Sequence, residues 1–403
     1  MWYDGSIILE KDYFMDERER QRRRAARRRK AIIKRRILIG CIAGTLLLFI
    51  LIISAIVKAI GGSGSKDLDK LEQDLAEETV IPEMEHTVKE ATITIAGDIC
   101  FHEDGYVMDY YDTVNDLEKC ISPEVLKIMQ ESDVFYLNHE YTIGEKGEPT
   151  SAKRYRFQAK PERMELLTEM GVDLVSLSNN HVYDYGPEAL IETCDLLEQA
   201  NIAYVGGGRN IAEAKKAAYF EVNGLKIGFV AASNAEVHRY TPQATEDAPG
   251  ILLAYDMAEY ISVVEEASKN CDYLIVYMHW GTEDSNYLNE QQQAEGRQLL
   301  DAGADIVVGG HPHVLQGMEY VDGKPIVYSL GDFWFNKETK YTGLLQLRIS
   351  QNGLEEMSFV PCLQTEYRVE YLDEASEQEE FYNFLEGLSI DVDIDSSGII
   401  TAK

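Results

Sequence analysis

The chain has 403 residues and a formal net charge of -32, with 70 Asp and Glu against 38 Lys and Arg. That length suits one large domain with attachments, and that charge sets the protein as a whole against nucleic acid. Six cysteines without a Cys-x-x-Cys pair fit neither a zinc ribbon nor a disulfide framework, so most read as small buried hydrophobes.

The average charge conceals a dense basic run in residues 18–36, followed by an uncharged apolar run at 37–57. About 20 such residues, rising roughly 1.5 Å each, span a hydrocarbon core of ~30 Å. Cations on the N-terminal flank place the N-terminus in the cytoplasm and the remainder outside. The run exceeds the roughly 7–15 apolar residues of a cleaved signal peptide, so it reads as an uncleaved signal-anchor at the cell membrane. The expected organisation is a basic cytoplasmic tail at 1–36, a transmembrane segment at 37–60 and a flexible acidic linker at 61–90. A domain at 91–362 and an acidic C-terminal extension at 363–403 complete it.

Inside that domain one event recurs. Residues 92–97 run into Asp98, 133–137 into Asn138-His139-Glu140, and 173–178 into Asn179-Asn180-His181. Residues 272–278 then run into His279-Trp280-Gly281, and 305–310 into His311-Pro312-His313. Each stretch is apolar enough for a strand buried on both faces. Helices are predicted over 161–167, 187–200 and 290–302. Asn223-Gly224 and Asp322-Gly323 mark hairpins. The class is α/β with antiparallel additions late in the chain. In open α/β sheets, sites form beyond the carboxyl ends of the strands, so five strands deliver Asp, Glu, Asn and His to one rim.

Taken singly, several of these residues admit two readings. Gly97 before Asp98 lets a ligand or metal approach the backbone, yet Asp98 and Asn138 also suit turns. Asn180 offers a carbonyl oxygen to a metal and His181 titrates near neutrality, while a capping Asn and a hydrogen-bonded His fit equally. His279 suits a ligand or a core histidine tied to a carbonyl. His311-x-His313 points to metal: residues two apart in an extended segment face the same way, and Pro312 stiffens the spacing. Five of the eight histidines (His139, His181, His279, His311, His313) stand at strand ends, which scattered structural histidines would not do. His86 falls in the linker, His238 in a polar loop, and His102 reads as exposed. Arg154 and Arg156 suit an anionic substrate, since a guanidinium grips carboxylate or phosphate with a planar fork, or else a solvated strand face. Trp280 and Trp334 read as wall residues.

The ordered set Gly97-Asp98, Asn138-x-Glu140, Asn179-Asn180-His181-x-x-Asp184-x-Gly186, His279-Trp280-Gly281, Gly310-His311-Pro312-His313-Val314 and Tyr328-Ser329-Leu330-Gly331-Asp332-Phe333 resembles the CapA family. These are capsule-synthesis proteins linked to poly-γ-glutamate. The resemblance implies a calcineurin-like metallophosphatase fold, a layered β-sandwich flanked by helices. It implies Asp98, Glu140, Asn180, His279, His311 and His313 as ligands of two divalent ions (Mn, Fe or Zn), with His181 as general acid. It departs from the broader superfamily at Cys100, where His is usual, and at Asn138-x-Glu140, which replaces Gly-Asp. Asp332 stands where Asn is expected, outside the ligands themselves. The implied activity is hydrolysis of a phosphoester or a γ-glutamyl amide in capsule synthesis, export or anchoring. The implied partners are the membrane, other polymer-synthesis membrane proteins and an anionic polymer, with no nucleic acid. A non-catalytic assembly or export subunit, and a surface metallophosphodiesterase with an unrelated substrate, are the alternative readings.

Overall fold

The structure, a computed structural model, describes residues 89–150, 153–235 and 240–403. The tail, the expected span at 37–60, nearly all of the linker, and both His86 and His238 lie outside the described residues. Among the described residues no helix is long and apolar enough to cross a membrane.

In chain order the elements are β1 (Glu90–Ile99), α1 (Tyr106–Val114), α2 (Pro123–Glu131), β2 (Val134–His139), α3 (Met164–Met170), β3 (Leu174–Ser176), α4 (Gly186–Gln199) and β4 (Ala203–Val205). Next come β5 (Ala218–Val222), β6 (Leu225–Ser233), α5 (Met257–Ser268), β7 (Tyr273–His279), α6 (Glu290–Asp301), β8 (Ile306–Gly310), β9 (Met318–Val321) and β10 (Lys324–Val327). The last stretch holds β11 (Asp332–Trp334), β12 (Lys340–Ser350), β13 (Gly353–Thr365), β14 (Arg368–Tyr371), α7 (Ala375–Leu388), β15 (Val392–Ile394) and β16 (Ile400–Ala402).

One mixed sheet runs β14-β13-β12-β1-β2-β3-β4, with β11 also paired to β1. The other runs β9-β10-β8-β7-β6-β5. In the first, β1 to β4 are parallel; in the second, β6, β7, β8 and β10 are parallel. Side-chain alternation with period two decides the layers. Val134 and Tyr136 of β2 join Tyr273, Ile275 and Tyr277 of β7 in a core between the sheets. Phe135 and Leu137 face outward onto α1 to α4. Leu274, Val276 and Met278 face outward onto α5 and α6. Each fully buried aliphatic or aromatic side chain contributes roughly 1.5–3 kcal/mol. This is a layered sandwich with helices on both outer faces.

Both expected hairpins form. Asn223-Gly224 and Asp322-Gly323 take φ of 51° and 81° at each turn, which two-residue hairpins with the right-handed strand twist require. The five described cysteines are free, and all but Cys271 are buried.

The expected boundary at 362 is corrected. It falls inside β13, and the residues beyond it belong to the same compact unit as the sandwich. β14 extends the first sheet, and Phe381, Tyr382 and Leu385 of α7, with Val392 and Ile400, enter the core between the sheets. Their apolar positions are sparse among acidic residues, so no helical period stands out in the sequence.

Candidate metal centre

The parallel strands of both sheets end at one rim, and the loops leaving β1, β2, β3, β7 and β8 carry the polar residues there. Gly97 sits where the chain crosses itself. A Cβ added to it would lie 1.9 Å from the backbone oxygen of Gly331, and the Asp98 N–H donates to that same oxygen at 2.8 Å. The glycine therefore admits a backbone, not a ligand, and the crossing sets Asp98 beside Asp332.

Asn138 organises the acidic half of the site. Its Nδ2 donates to Asp98 Oδ1 at 2.8 Å and to Glu140 Oε2 at 3.0 Å. Its Oδ1 accepts from Asn179 Nδ2 at 3.1 Å, which fixes the direction of the amide. Asp98 Oδ2 accepts the His311 backbone N–H at 3.2 Å. Glu140 Oε1 has no hydrogen-bond partner; it lies 3.8 Å from His279 Nε2 and 3.9 Å from His313 Nε2. His279 Nε2 is 3.0 Å from Asn180 Oδ1, and His313 Nδ1 is 2.8 Å from Asp332 Oδ1. His311 Nδ1 is buried without a partner.

Three sets of donor atoms lie within 4.8 Å of one another: Glu140, His311 and His313; Asp98, Glu140 and His279; and Asp98, His313 and Asp332. All six expected ligand residues thus come to one place. Asp332, expected outside the ligands, stands in the third set. The extended geometry expected of His311-x-His313 is corrected: β8 ends at Gly310, and the two histidines have φ of 98° and 59°. Left-handed backbone at non-glycine residues costs on the order of 1 kcal/mol or more each and gathers at functional sites. Here it turns both imidazoles toward the carboxylates, with ring centroids 6.0 Å apart.

The donors fit a divalent cation. An unpaired buried polar atom costs about 1–3 kcal/mol and is uncommon in native folds, yet Glu140 Oε1 and His311 Nδ1 are both in that state, and the two residues belong to the same donor set. Carboxylate, imidazole and amide oxygen together suit Mn, Fe or Zn. Protonation points the same way. Burial pushes the Asp98 carboxyl up to about 6 against the pull of His313. Burial and then the Asp98 charge raise Glu140 well above the usual range. Burial and the neighbouring imidazoles hold His279 far below its ordinary value and His311 at about 3, so both rings are neutral and able to ligate. Burial would also lower His313, but Asp332, Glu140 and Asp98 outweigh it and carry the ring to about 10. The cluster is short of positive charge.

His181 stands beside this cluster and belongs to none of the donor sets. Its Nδ1 is 2.6 Å from Asp184 Oδ2, and its ring lies 4.3 Å from that of Phe157. Asp184 also accepts the Phe157 N–H at 2.9 Å and Lys153 Nζ at 3.0 Å. Asp184 was visible three residues after His181; Lys153 had no sequence signal.

Other candidates fall elsewhere. His139 stacks on Tyr141 at 3.8 Å, because alternation along β2 turns it away from Asn138 and Glu140 and into the outer core. His102 is partly buried against Phe157, 4.7 Å away, and not exposed as expected. Trp280 and Trp334 are fully buried walls. Arg154 and Arg156 are exposed on the loop that carries Lys153 and Phe157, and Arg156 Nη1 donates to Thr150 O at 3.0 Å.

A family model described as bacterial capsule synthesis protein PGA_cap matches residues 92–337. The chain is 33% identical over 239 residues to the PGA biosynthesis protein CapA of Bacillus subtilis, covering 58% of this chain and 62% of that one, so the match spans less than two thirds of that relative. It is 31% identical over 294 residues to the capsule biosynthesis protein CapA of Bacillus anthracis, covering 70% of each. Among solved structures it is similar to a hypothetical protein of Thermus thermophilus, with a TM-score of 0.43 and 14% identity over 68% of this chain and 98% of that one.

Proposed function

The chain belongs to the bacterial capsule synthesis protein PGA_cap family, the CapA family, and on that premise we propose that it serves capsule synthesis, export or anchoring through a metal-dependent hydrolase site. The polymer in this reading is poly-γ-glutamate. Residues 37–57 anchor the chain in the cell membrane, and the domain from residue 89 onward lies outside. The observation that carries the catalytic part is the convergence of Glu140, His311 and His313 in one set of metal-type donors, with Glu140 and His311 each holding a buried unpaired polar atom.

Asp98, Glu140, Asn180, His279, His311 and His313 would hold divalent ions, as in a calcineurin-like metallophosphatase. Such ions, about two per site, supply Lewis acidity and a water acidic enough to act at neutral pH. The chain's own residues do the rest. Asn138 holds Asp98 and Glu140 in register through one amide. Asp332 fixes the His313 ring through Nδ1, leaving Nε2 toward Glu140. Asp184 accepts a hydrogen bond from His181 Nδ1, so Nε2 is the nitrogen that, once it has taken a proton against the burial that disfavours the charged ring, would give that proton to the departing oxygen or nitrogen. The bond cleaved is a phosphoester or a γ-glutamyl amide.

The test uses the purified full chain, assayed for metal and for hydrolysis of bis-(p-nitrophenyl) phosphate and of poly-γ-glutamate. His181→Ala lowers hydrolysis by roughly 100-fold and keeps the metal, whereas His311→Ala loses metal and activity together. A metal-free chain that still restores capsule to a capsule-negative strain assigns an assembly role instead.

A further inference from the structure

The loops around the rim carry features that the metal reading leaves unused. Two of these loops meet over the site. The Phe157 ring lies 4.3 Å from His181, the Phe335 ring lies 4.9 Å from His313, and the two phenylalanines meet edge to face at 5.9 Å. Arg154, Tyr155 and Arg156 directly precede Phe157 and are exposed, with the Arg154 guanidinium 5.0 Å from the centre of the Tyr155 ring. Lys337 follows Phe335 by two residues; its Nζ stands 4.5 Å from the Tyr106 ring, which stacks on Tyr367 at 6.0 Å. A third loop, between Gly281 and α6, is tied to the rim by the Asp284 N–H, which donates to Pro312 O at 2.9 Å; it carries Tyr287, 82% exposed. Among the described residues five large hydrophobic side chains stay exposed, and Tyr106, Tyr155 and Tyr287 of them stand on or against these three loops.

The cations on these loops lack the carboxylate partners that most cations of the molecule have. The chain is strongly acidic, and most described cations lie against carboxylates: Arg163 against Glu103 and Asp112, Arg209 against Asp195, Glu198 and Glu213. Arg154 and Arg156 have no carboxylate within ion-pair distance among the described residues, and Lys337 has none either. Instead the Arg154 and Lys337 cations rest on tyrosine rings, which hold them in place without neutralising them. Lys127 and Lys226 also lack an ion pair among the described residues, but cations grouped on the loops of one opening draw anions there more strongly than a single one does. Tyrosine and arginine are also enriched among the side chains that carry binding energy, and tyrosine gives its contact area at low conformational cost.

We infer that Arg154, Arg156 and Lys337, with Tyr155, Tyr106 and Tyr367, form a collar that binds a linear, flexible anionic chain across the metal rim, engaging several of its repeated charges at once. The inference rests on the proposed polymer reading for what that chain is, and adds how it is held. The acidic remainder of the domain repels the polymer, so it is captured only at the mouth. Three unpaired cations are too few for the dense phosphates of a nucleic acid and suit the single pendant α-carboxylate that each residue of a γ-linked glutamate chain presents.

Fluorescence anisotropy with a labelled γ-glutamate oligomer of about twelve units and the metal-supplied full chain tests the collar. Arg154→Ala/Arg156→Ala weakens binding about tenfold and Lys337→Ala about threefold, as expected for partly exposed charges. Lys127→Ala, which removes an exposed cation from the outer side of α2, changes nothing. Free glutamate at equal carboxylate concentration fails to compete. The collar is overturned if Lys127→Ala weakens binding as much as Lys337→Ala, if free glutamate competes equally, or if the oligomer does not bind. Thermal melting of each variant, unchanged from the parent, excludes unfolding. Metal content measured on the same samples separates the two readings: metal-free protein with collar-dependent binding sinks the hydrolase reading alone, and metal-loaded protein with collar-independent binding sinks the collar alone.

Discussion

Glu140→Gln puts the metal centre to a test that needs no substrate. In the metal-free protein Glu140 is fully buried, its Oε1 has no partner, and Asp98 lies in the same donor set. Gln keeps the shape and an oxygen for the Asn138 amide, but removes the charge. A buried uncompensated ion costs several kcal/mol. Burial and the Asp98 charge already push the Glu140 carboxyl well up, so protonation at neutral pH relieves part of that cost. The metal-free variant should therefore be more stable by about 1–2 kcal/mol, a rise of roughly 2–3 °C in Tm for a domain of this size. Metal reverses the order. A ligand at a thousandfold excess over its Kd stabilises the native state by about 4 kcal/mol, and the variant, lacking an anionic donor, forfeits most of that. Differential scanning fluorimetry in chelator and then in excess Mn or Zn should show the two proteins exchanging rank. A variant less stable than the parent in chelator, and equally stabilised by metal, would remove Glu140 from the site and refute the reasoning.

Further outcomes follow from the same geometry. Asp98 titrates at about 6 in the fold against roughly 3.9 unfolded. Its raised pKa favours the protonated fold, so the contribution of Asp98 itself is fully present below about pH 4 and falls by on the order of 3 kcal/mol as pH rises through about 6, while the buried neutral His279 and His311 titrate with the opposite sign. The difference in urea midpoint between the parent and Asp98→Asn across that window isolates the Asp98 contribution and checks the sign, and excess metal should reverse it. Gly97→Ala drives a Cβ to 1.9 Å from Gly331 O; it should cost about 3 kcal/mol or more and abolish metal binding. Gly323→Ala, at φ 81° with open space around it, should cost only about 1 kcal/mol and leave metal binding intact. Asp184→Asn should retain metal but lower kcat by roughly 100-fold, because the His181 ring loses the carboxylate charge that favours its protonated form.

The rim was legible because its ingredients are local. Each strand is a short apolar run, and each functional residue stands within a few positions of that run's carboxyl end. Topology then brings the ends together: β1 to β3 of one sheet and β7 and β8 of the other run parallel within their sheets and end at the same edge. What failed to show in the sequence depends on direction or on distant partners. His139 counted as a rim histidine by position, but alternation within β2 turns it to the outer core. His311 and His313 converge through left-handed backbone, which no spacing rule foresees. Lys153 reaches Asp184 across 31 residues, and Phe335 reaches Phe157 across a longer gap. α7 hides its core contacts in an acidic sequence because few of its residues, Phe381, Tyr382, Phe384 and Leu385, turn inward. The apolar run at 37–57 lies outside the described residues, and its role as an anchor is proposed from composition alone.

The account stands on the donors at the rim binding metal, and elemental analysis of the purified full chain measures this directly. After equilibration with Mn, Fe or Zn and removal of the excess, inductively coupled plasma mass spectrometry should find about two ions per chain, falling sharply in the Glu140→Gln and His311→Ala variants while Lys127→Ala keeps the full complement. A parent chain that folds normally yet retains none of these metals, or variants that retain as much as the parent, would contradict it.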